Sequence, residues 1–142
     1  MKILGLDLGT KSLGVAITDK TGILASPLTV IKFKFEDYND ALNKLLVIIN
    51  DNDIKKVILG LPKNMNGSLG FAAERSINFK NMLEKCGIDV ELEDERLTTI
   101  ESINIIHENN ENIKNTKNIV DSISASLILE SYLKRSKNDS RE

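Results

Sequence analysis

The hydrophobic period of this chain first changes at Glu36, and that change limits the folds open to it. Before it lie three extended apolar runs, Lys2 to Leu8, Leu13 to Thr18 and Ile23 to Phe35. Gly9 stops the first run, and Asp19-Lys20-Thr21-Gly22 closes the second as a turn. Connections this short join antiparallel strands, because a parallel pair needs a crossover of a dozen or more residues. Pro27 has no N–H to give a ladder, so it marks an irregularity or a sheet edge. After Glu36, Tyr38, Ala41, Leu42, Leu45, Ile48 and Ile49 follow helical spacing as far as Asn50-Asp51-Asn52. Lys56 to Leu61 is a short apolar strand, Pro62 to Gly70 an aperiodic loop, and Phe71 to Lys85 a helix stopped at Gly87. Ile88, Val90 and Leu92 alternate with acids, as a strand does.

Beyond that strand, Leu97 to about Asn109 reads as a helix and Glu108 to Lys117 as a polar, flexible connection. Thr116 is the expected N-cap of a last helix reaching about Leu133. The order predicts an α/β protein with a mixed five-stranded sheet: three antiparallel strands, then β-α units, with helices on both faces. The first strand, apolar throughout and flanked by both halves, is expected at the centre. Residues 1–134 are expected to form one domain and 135–142 a charged, disordered tail.

Composition removes several classes. The net charge is −2 and the pI about 5.5, so no overall positive field would attract nucleic acid. A nucleic-acid enzyme built on this chain needs a local basic patch or bound cations. One cysteine, Cys86, excludes an intrachain disulfide and fits a reducing cytosol; beside Gly87 it is expected as a small core residue. No leader pattern and no run of roughly 20 apolar residues is present, so the expected location is cytoplasmic, away from membranes.

Three acids stand out. Asp7 lies inside a hydrophobic strand, where charge is costly unless it is paired or holds a cation. Gly5 and Gly9 beside it suggest close approach of some other group, although an Asp there could also cap a nearby turn. Asp94-Glu95-Arg96 sits at a strand-to-helix junction, the end at which open α/β sheets place their sites. Helix capping by Asp94 or Thr98 is the competing reading. Asp121 opens an apolar helix among small neighbours that would let it approach a sheet, and could alternatively serve the helix dipole. Glu91 and Glu93 read as a solvated face. Asp7, Glu95 and Asp121 come from two strand ends and a helix start, and could converge only in this kind of fold. Hard cations such as Mg²⁺ take oxygen ligands. Two such ions can activate water and stabilise the leaving oxygen in phosphodiester cleavage. The one histidine, His107, is expected at the surface, and no Cys/His cluster offers a zinc site.

Four blocks, GLDLGTKSLGVAITD, LGLPKNMNGSLG, DERLTT and VDSISASLILESYL, together resemble the YqgF/RuvX family, in its order, from Met1 to about Leu133. That family is described both as Holliday junction resolvases and as pre-16S ribosomal RNA nucleases. The resemblance implies a ribonuclease-H-like fold, a cytoplasmic location and trimming of the 5′ end of precursor 16S ribosomal RNA. It implies Asp7, Glu95 and Asp121 as catalytic, metal-binding carboxylates for Mg²⁺, or Mn²⁺, with Asp94 the alternative to Glu95. Lys117 and Arg96 match positions that could contact phosphate. Lys11 is a further candidate for the substrate path, with Thr10, Asn64 and Ser68 as weaker ones. Lys63, on the 60–70 loop, could close over nucleic acid. The family often carries arginine where this chain has Ser12, and a more apolar run where it has Ser124 and Ser126. The expected partner is nucleic acid, precursor ribosomal RNA before branched DNA, bound by a monomer or homodimer. Two other classes stay open: a fragment of the sugar-kinase, actin and Hsp70 type, which also uses D-x-G-T for phosphate, and a non-catalytic RNA- or ribosome-binding module.

Overall fold

The computed structural model describes residues 2–62, 69–94 and 113–140, with the side chains of the last helix placed over 121–136. Five strands appear: β1 (Leu4–Leu8), β2 (Ser12–Thr18), β3 (Ala25–Lys32), β4 (Lys56–Leu61) and β5 (Asp89–Asp94). The described helices are α1 (Tyr38–Asp51), α2 (Phe71–Lys85) and α3 (Ile113–Ser140). The sheet order is β3-β2-β1-β4-β5, so β1 is central, as its uniform apolarity predicts. β1 pairs antiparallel with β2 and parallel with β4, and β4 pairs parallel with β5.

β3 is shorter than the extended run that contains it because both ends are taken by turns. The Asp19 carboxylate accepts from Thr21 Oγ1 at 2.7 Å and from the Ile23 N–H at 3.1 Å, which holds the segment before Leu24 in the turn. At the other end the Phe33 N–H donates to Lys11 O at 3.0 Å and the Glu36 N–H to Thr10 O at 2.8 Å. The chain then turns at Glu36, with φ of 59°, and enters α1 under the Asp37 cap. Pro27 lies on the edge strand, opposite Ala16, where the register slips.

Alternation along the strands makes two unlike faces. Leu4, Leu6 and Leu8 of β1, with Leu13, Val15, Val57 and Leu59, pack against Ala41, Leu45 and Ile49 of α1 and Phe79 and Leu83 of α2. Each fully buried leucine there contributes about 1.5–3 kcal/mol. The opposite face carries Ala16 and Ile58 against Ala125, Ile128, Leu129 and Tyr132 of α3.

Several sequence expectations are corrected. α3 begins by Ile113, so Thr116 lies inside the helix instead of capping it, and the connection expected up to Lys117 is helical from Ile113. The helix also runs on through Lys134 to Ser140, over most of the stretch read as a tail. Cys86 is exposed, not in the core, because α2 ends there and turns outward through Gly87 at φ of 83°. The helix expected over 97–109, with His107, lies outside the described residues, as does the loop over 63–68.

Candidate active site

The side chain of Asp7 alternates with Leu6 and Leu8, so it leaves the aliphatic core and faces α3, half-buried at the carboxyl end of β1. Its register partner across the antiparallel pair is Gly14. A Cβ placed on Gly14 would lie 2.1 Å from the backbone oxygen of Asp121, so the helix backbone rests directly on this glycine. One turn further along, a Cβ on Gly5 would lie 2.6 Å from Ala125 O and 2.8 Å from Leu129 Cβ. The two glycines therefore form the bed of α3. Only residues without a side chain permit so close an approach, and the approach delivers Asp121 over the β1–β2 pair that carries Asp7.

Ser12 completes the arrangement. Its hydroxyl donates to Asp121 Oδ2 at 2.7 Å across 109 sequence positions, and the Ser12 side chain is itself buried. This is the position where the resemblance leads one to expect arginine. Here a short hydroxyl on β2 orients the carboxylate of α3. Asp121 lies well past the start of α3, so the helix dipole, which acts mainly within the first turn, does not explain its presence. Ser124 and Ser126 are buried in the same helix, and Ser126 Oγ returns its proton to Ile123 O at 3.0 Å, which removes the cost of burying the hydroxyl.

The remaining candidates divide clearly. Lys11 is exposed in the β1–β2 connection, at the pole where Asp7 lies. Asp94, the last residue of β5, is exposed and shares the alternation of Leu92, away from α3. Lys117 belongs to α3 one turn before Asp121, and its side chain is not among those described. Glu95, Arg96, Lys63, Asn64 and Ser68 lie outside the described residues. Among the described residues no three His, Cys, Asp or Glu side chains gather as a metal-binding group. The donors that do meet, the Asp121 carboxylate and the Ser12 hydroxyl, are both oxygen, as is the Asp7 carboxylate on the neighbouring strand, and oxygen donors suit hard divalent cations rather than zinc or copper.

Sequence reading missed two features. Lys32 is the register partner of Ser12, so an exposed cation stands beside the Ser12–Asp121 pair on the edge strand. Glu93, read as solvated, is buried: Ser131 Oγ donates to its Oε2 at 2.7 Å, and Arg135 donates to its Oε1 through Nε at 3.0 Å and through a terminal nitrogen at 2.8 Å. The same guanidinium reaches Glu91 at 3.4 Å and lies 5.5 Å from the centre of the Tyr132 ring. Glu93 holds the Arg135 guanidinium protonated, above its ordinary range. This network ties the far end of α3 to β5.

The architecture has close structural counterparts at low identity. Thermus thermophilus RuvC bound to a Holliday junction superposes with a TM-score of 0.59 at 13% identity, covering 96% of each chain. The fowlpox virus Holliday junction resolvase gives 0.56 at 20% identity, covering 95% of this chain and 99% of that one. The fold is thus ribonuclease-H-like: a five-stranded mixed sheet with acids at the carboxyl end of its central strand. The sequence model of RuvX, described as Holliday junction resolvase, matches residues 1–135. A candidate pre-16S rRNA nuclease of Shouchella clausii is 42% identical over 136 residues, covering 95% of this chain and 96% of its own. A protein of the same description from Oceanobacillus iheyensis is 40% identical, covering 94% and 98%. The chain belongs to the RuvX family.

Proposed function

We propose that this chain is a divalent-metal-dependent nuclease that hydrolyses phosphodiester bonds in precursor 16S ribosomal RNA, in the cytoplasm. The observation that carries the reading is the seating of α3 on Gly14, which brings Asp121 to the strand pair that holds Asp7. Family membership supports nuclease chemistry, and the relatives at about 40% identity favour the ribosomal precursor as substrate. Branched DNA is the second reading, favoured by the description of the family.

Asp7 and Asp121 would hold the cation, with Glu95 as the third carboxylate. When bound, Mg²⁺ or Mn²⁺ supplies the Lewis acidity that activates water and neutralises charge on the phosphate. The chain's own groups do the rest. Ser12 fixes the rotamer of Asp121 by donating to Oδ2, so the carboxylate is oriented before substrate arrives. The half-buried position of Asp7 against α3 keeps it partly out of bulk water and strengthens its attraction for a cation. Lys11 and Lys32 place positive charge where the phosphate backbone would cross the rim, with Lys63, Arg96 and Lys117 proposed as further phosphate contacts.

Asp7→Asn tests this reading. Loss of a supporting partner of a metal ligand typically costs 10–100-fold, so loss of the ligand should lower Mg²⁺-dependent cleavage more than about 100-fold with the fold retained. Cleavage of a 5′-extended 16S precursor, compared with a four-way DNA junction, separates the two substrates. Undiminished cleavage by the purified variant would overturn the assignment of Asp7.

A further inference from the structure

The chain has six aromatic side chains, four Phe and two Tyr. Phe33, Phe79 and Tyr132 are buried, and Tyr38 packs against the core. The other two are open to solvent: Phe35 is 60% exposed and Phe71 87%. Isolated exposed apolar groups are ordinary on a surface, so exposure alone means little. Their placement means more, because the topology puts both at the pole that carries Asp7.

Phe35 follows β3, whose end is tied to the β1–β2 connection by the Phe33 N–H to Lys11 O bond and the Glu36 N–H to Thr10 O bond. It therefore stands beside the carboxyl end of β1. Phe71 is the first residue of α2. That helix ends within a few residues of the start of β5, which is level with the start of β4. Its 15 residues span about 22 Å, roughly the height of the sheet. Phe71 must then lie near the carboxyl ends of β4 and β1. Strands β3 and β4 are separated by β2 and β1, a span of about 14 Å at the usual strand spacing. The two rings thus stand at the pole of Asp7, to either side of β1 along the sheet, with α2 itself on the sheet face opposite α3. Local structure does not account for Phe71: its helix starts from Gly70 with no side-chain cap, and among the described residues the ring joins neither core cluster.

Resting on the nuclease reading, we infer that Phe35 and Phe71 are stacking platforms for unpaired bases, so that the site takes single-stranded nucleic acid across the acids. The ring faces accept any base, while Lys11, Lys32 and Lys34, all exposed at the same pole, match the phosphates of the strand. A base-paired helix, with its bases stacked inside, offers these rings nothing to hold.

The test is direct binding, read by fluorescence polarisation with a labelled 12-nucleotide single-stranded RNA and with a blunt RNA duplex, in chelator so that no cleavage occurs. Phe71→Ala and Phe35→Ala should each weaken single-strand binding by about 5- to 150-fold, the usual range for one stacked base. Duplex binding and the salt dependence of single-strand binding should not change, since no phosphate contact is lost. Tyr at either position should restore affinity and Leu should not. Unchanged single-strand binding in both Ala variants, equal rescue by Leu, or a parallel loss on duplex would each overturn the inference. Because these measurements need no hydrolysis, they stand apart from the Asp7→Asn assay. Intact cleavage in that variant would remove the metal reading and leave the stacking result as measured.

Discussion

The two faces of the sheet are drawn from the same strands and do opposite work. Toward α1 and α2, β1 shows Leu4, Leu6 and Leu8 and β2 shows Leu13 and Val15, all buried. Toward α3 the intervening residues are Gly5, Asp7, Ser12, Gly14 and Ala16, which are small or polar. On the first face large side chains hold the helices at ordinary packing distance. On the second their absence lets a helix backbone touch the strands. Stability thus comes from one parity of the strands, and the proposed chemistry from the other. Apolar bulk at the second parity would exclude α3, and polar groups at the first would open the core.

The largest expected effect breaks the first face alone. Leu6→Ala removes a wholly buried side chain from the centre of the aliphatic core and should cost about 2–5 kcal/mol of unfolding free energy by urea titration. Cleavage per folded molecule should stay near the parent value, because Leu6 faces away from the acids. A fall in the turnover of the folded fraction would show that the faces are coupled.

Gly14→Ala attacks the second face. The added methyl would meet backbone atoms of Asp121, which no rotamer change relieves. The strain should cost about 1–3 kcal/mol. Unlike Leu6→Ala, it should also lower turnover, since relief comes by lifting Asp121 away from Asp7. Full activity in a stably folded Gly14→Ala variant would mean that the close seating of α3 does not matter to the chemistry.

How far the two faces were legible in the sequence follows from the range of the interactions involved. Strand order and the central place of β1 follow from local periodicity and short connections, and the helix over Phe71–Lys85 is read to the residue. Gly5 beside Asp7 signals close approach, and small residues around Asp121 signal its cause; the structure joins them as strand and helix in contact. The start of α3 was hidden because residues 113–117 show no apolar stripe, and a helix without one looks like a loop to any periodicity argument. Glu93 was misread because its partner, Arg135, is 42 positions away. In the sequence it is one acid in a run of acids, and only the crossing of α3 over β5 shows that it is paired. Ser12 was legible as a departure from the family pattern, but not as the group that holds Asp121.

Ser12→Ala sharpens the contrast at smaller cost. The bond to Asp121 is part-buried and local to the site, so stability should change by about 1 kcal/mol or less. Cleavage should fall about 10–100-fold, as for other groups that orient a metal ligand. Excess Mg²⁺ should recover part of the loss if Ser12 acts through cation affinity, and the cation concentration at half-maximal rate measures that directly.

The smallest effect comes from an acid at the opposite pole. Asp19 also accepts a hydroxyl, from Thr21, and adds the Ile23 N–H; these bonds favour its ionised form and lower its pKa below the ordinary value. A carboxyl group with a lowered pKa in the fold adds stability that is present above its unfolded value of about 3.9 and is lost as pH falls through the folded value. The group is wholly exposed and screened by water and salt, so the contribution is slight. Asp19→Asn keeps an acceptor for the turn but cannot titrate, so urea midpoints between pH 5 and 2 should fall slightly less steeply than in the parent, while Mg²⁺-dependent cleavage at neutral pH stays unchanged. The two acids accept similar bonds, but Asp121 lies under a helix at the carboxyl pole and Asp19 lies in open solvent. A large activity loss in Asp19→Asn would show that position in the sheet, and not only local bonding, had been misjudged as the factor that separates a turn-forming acid from a cation-binding one.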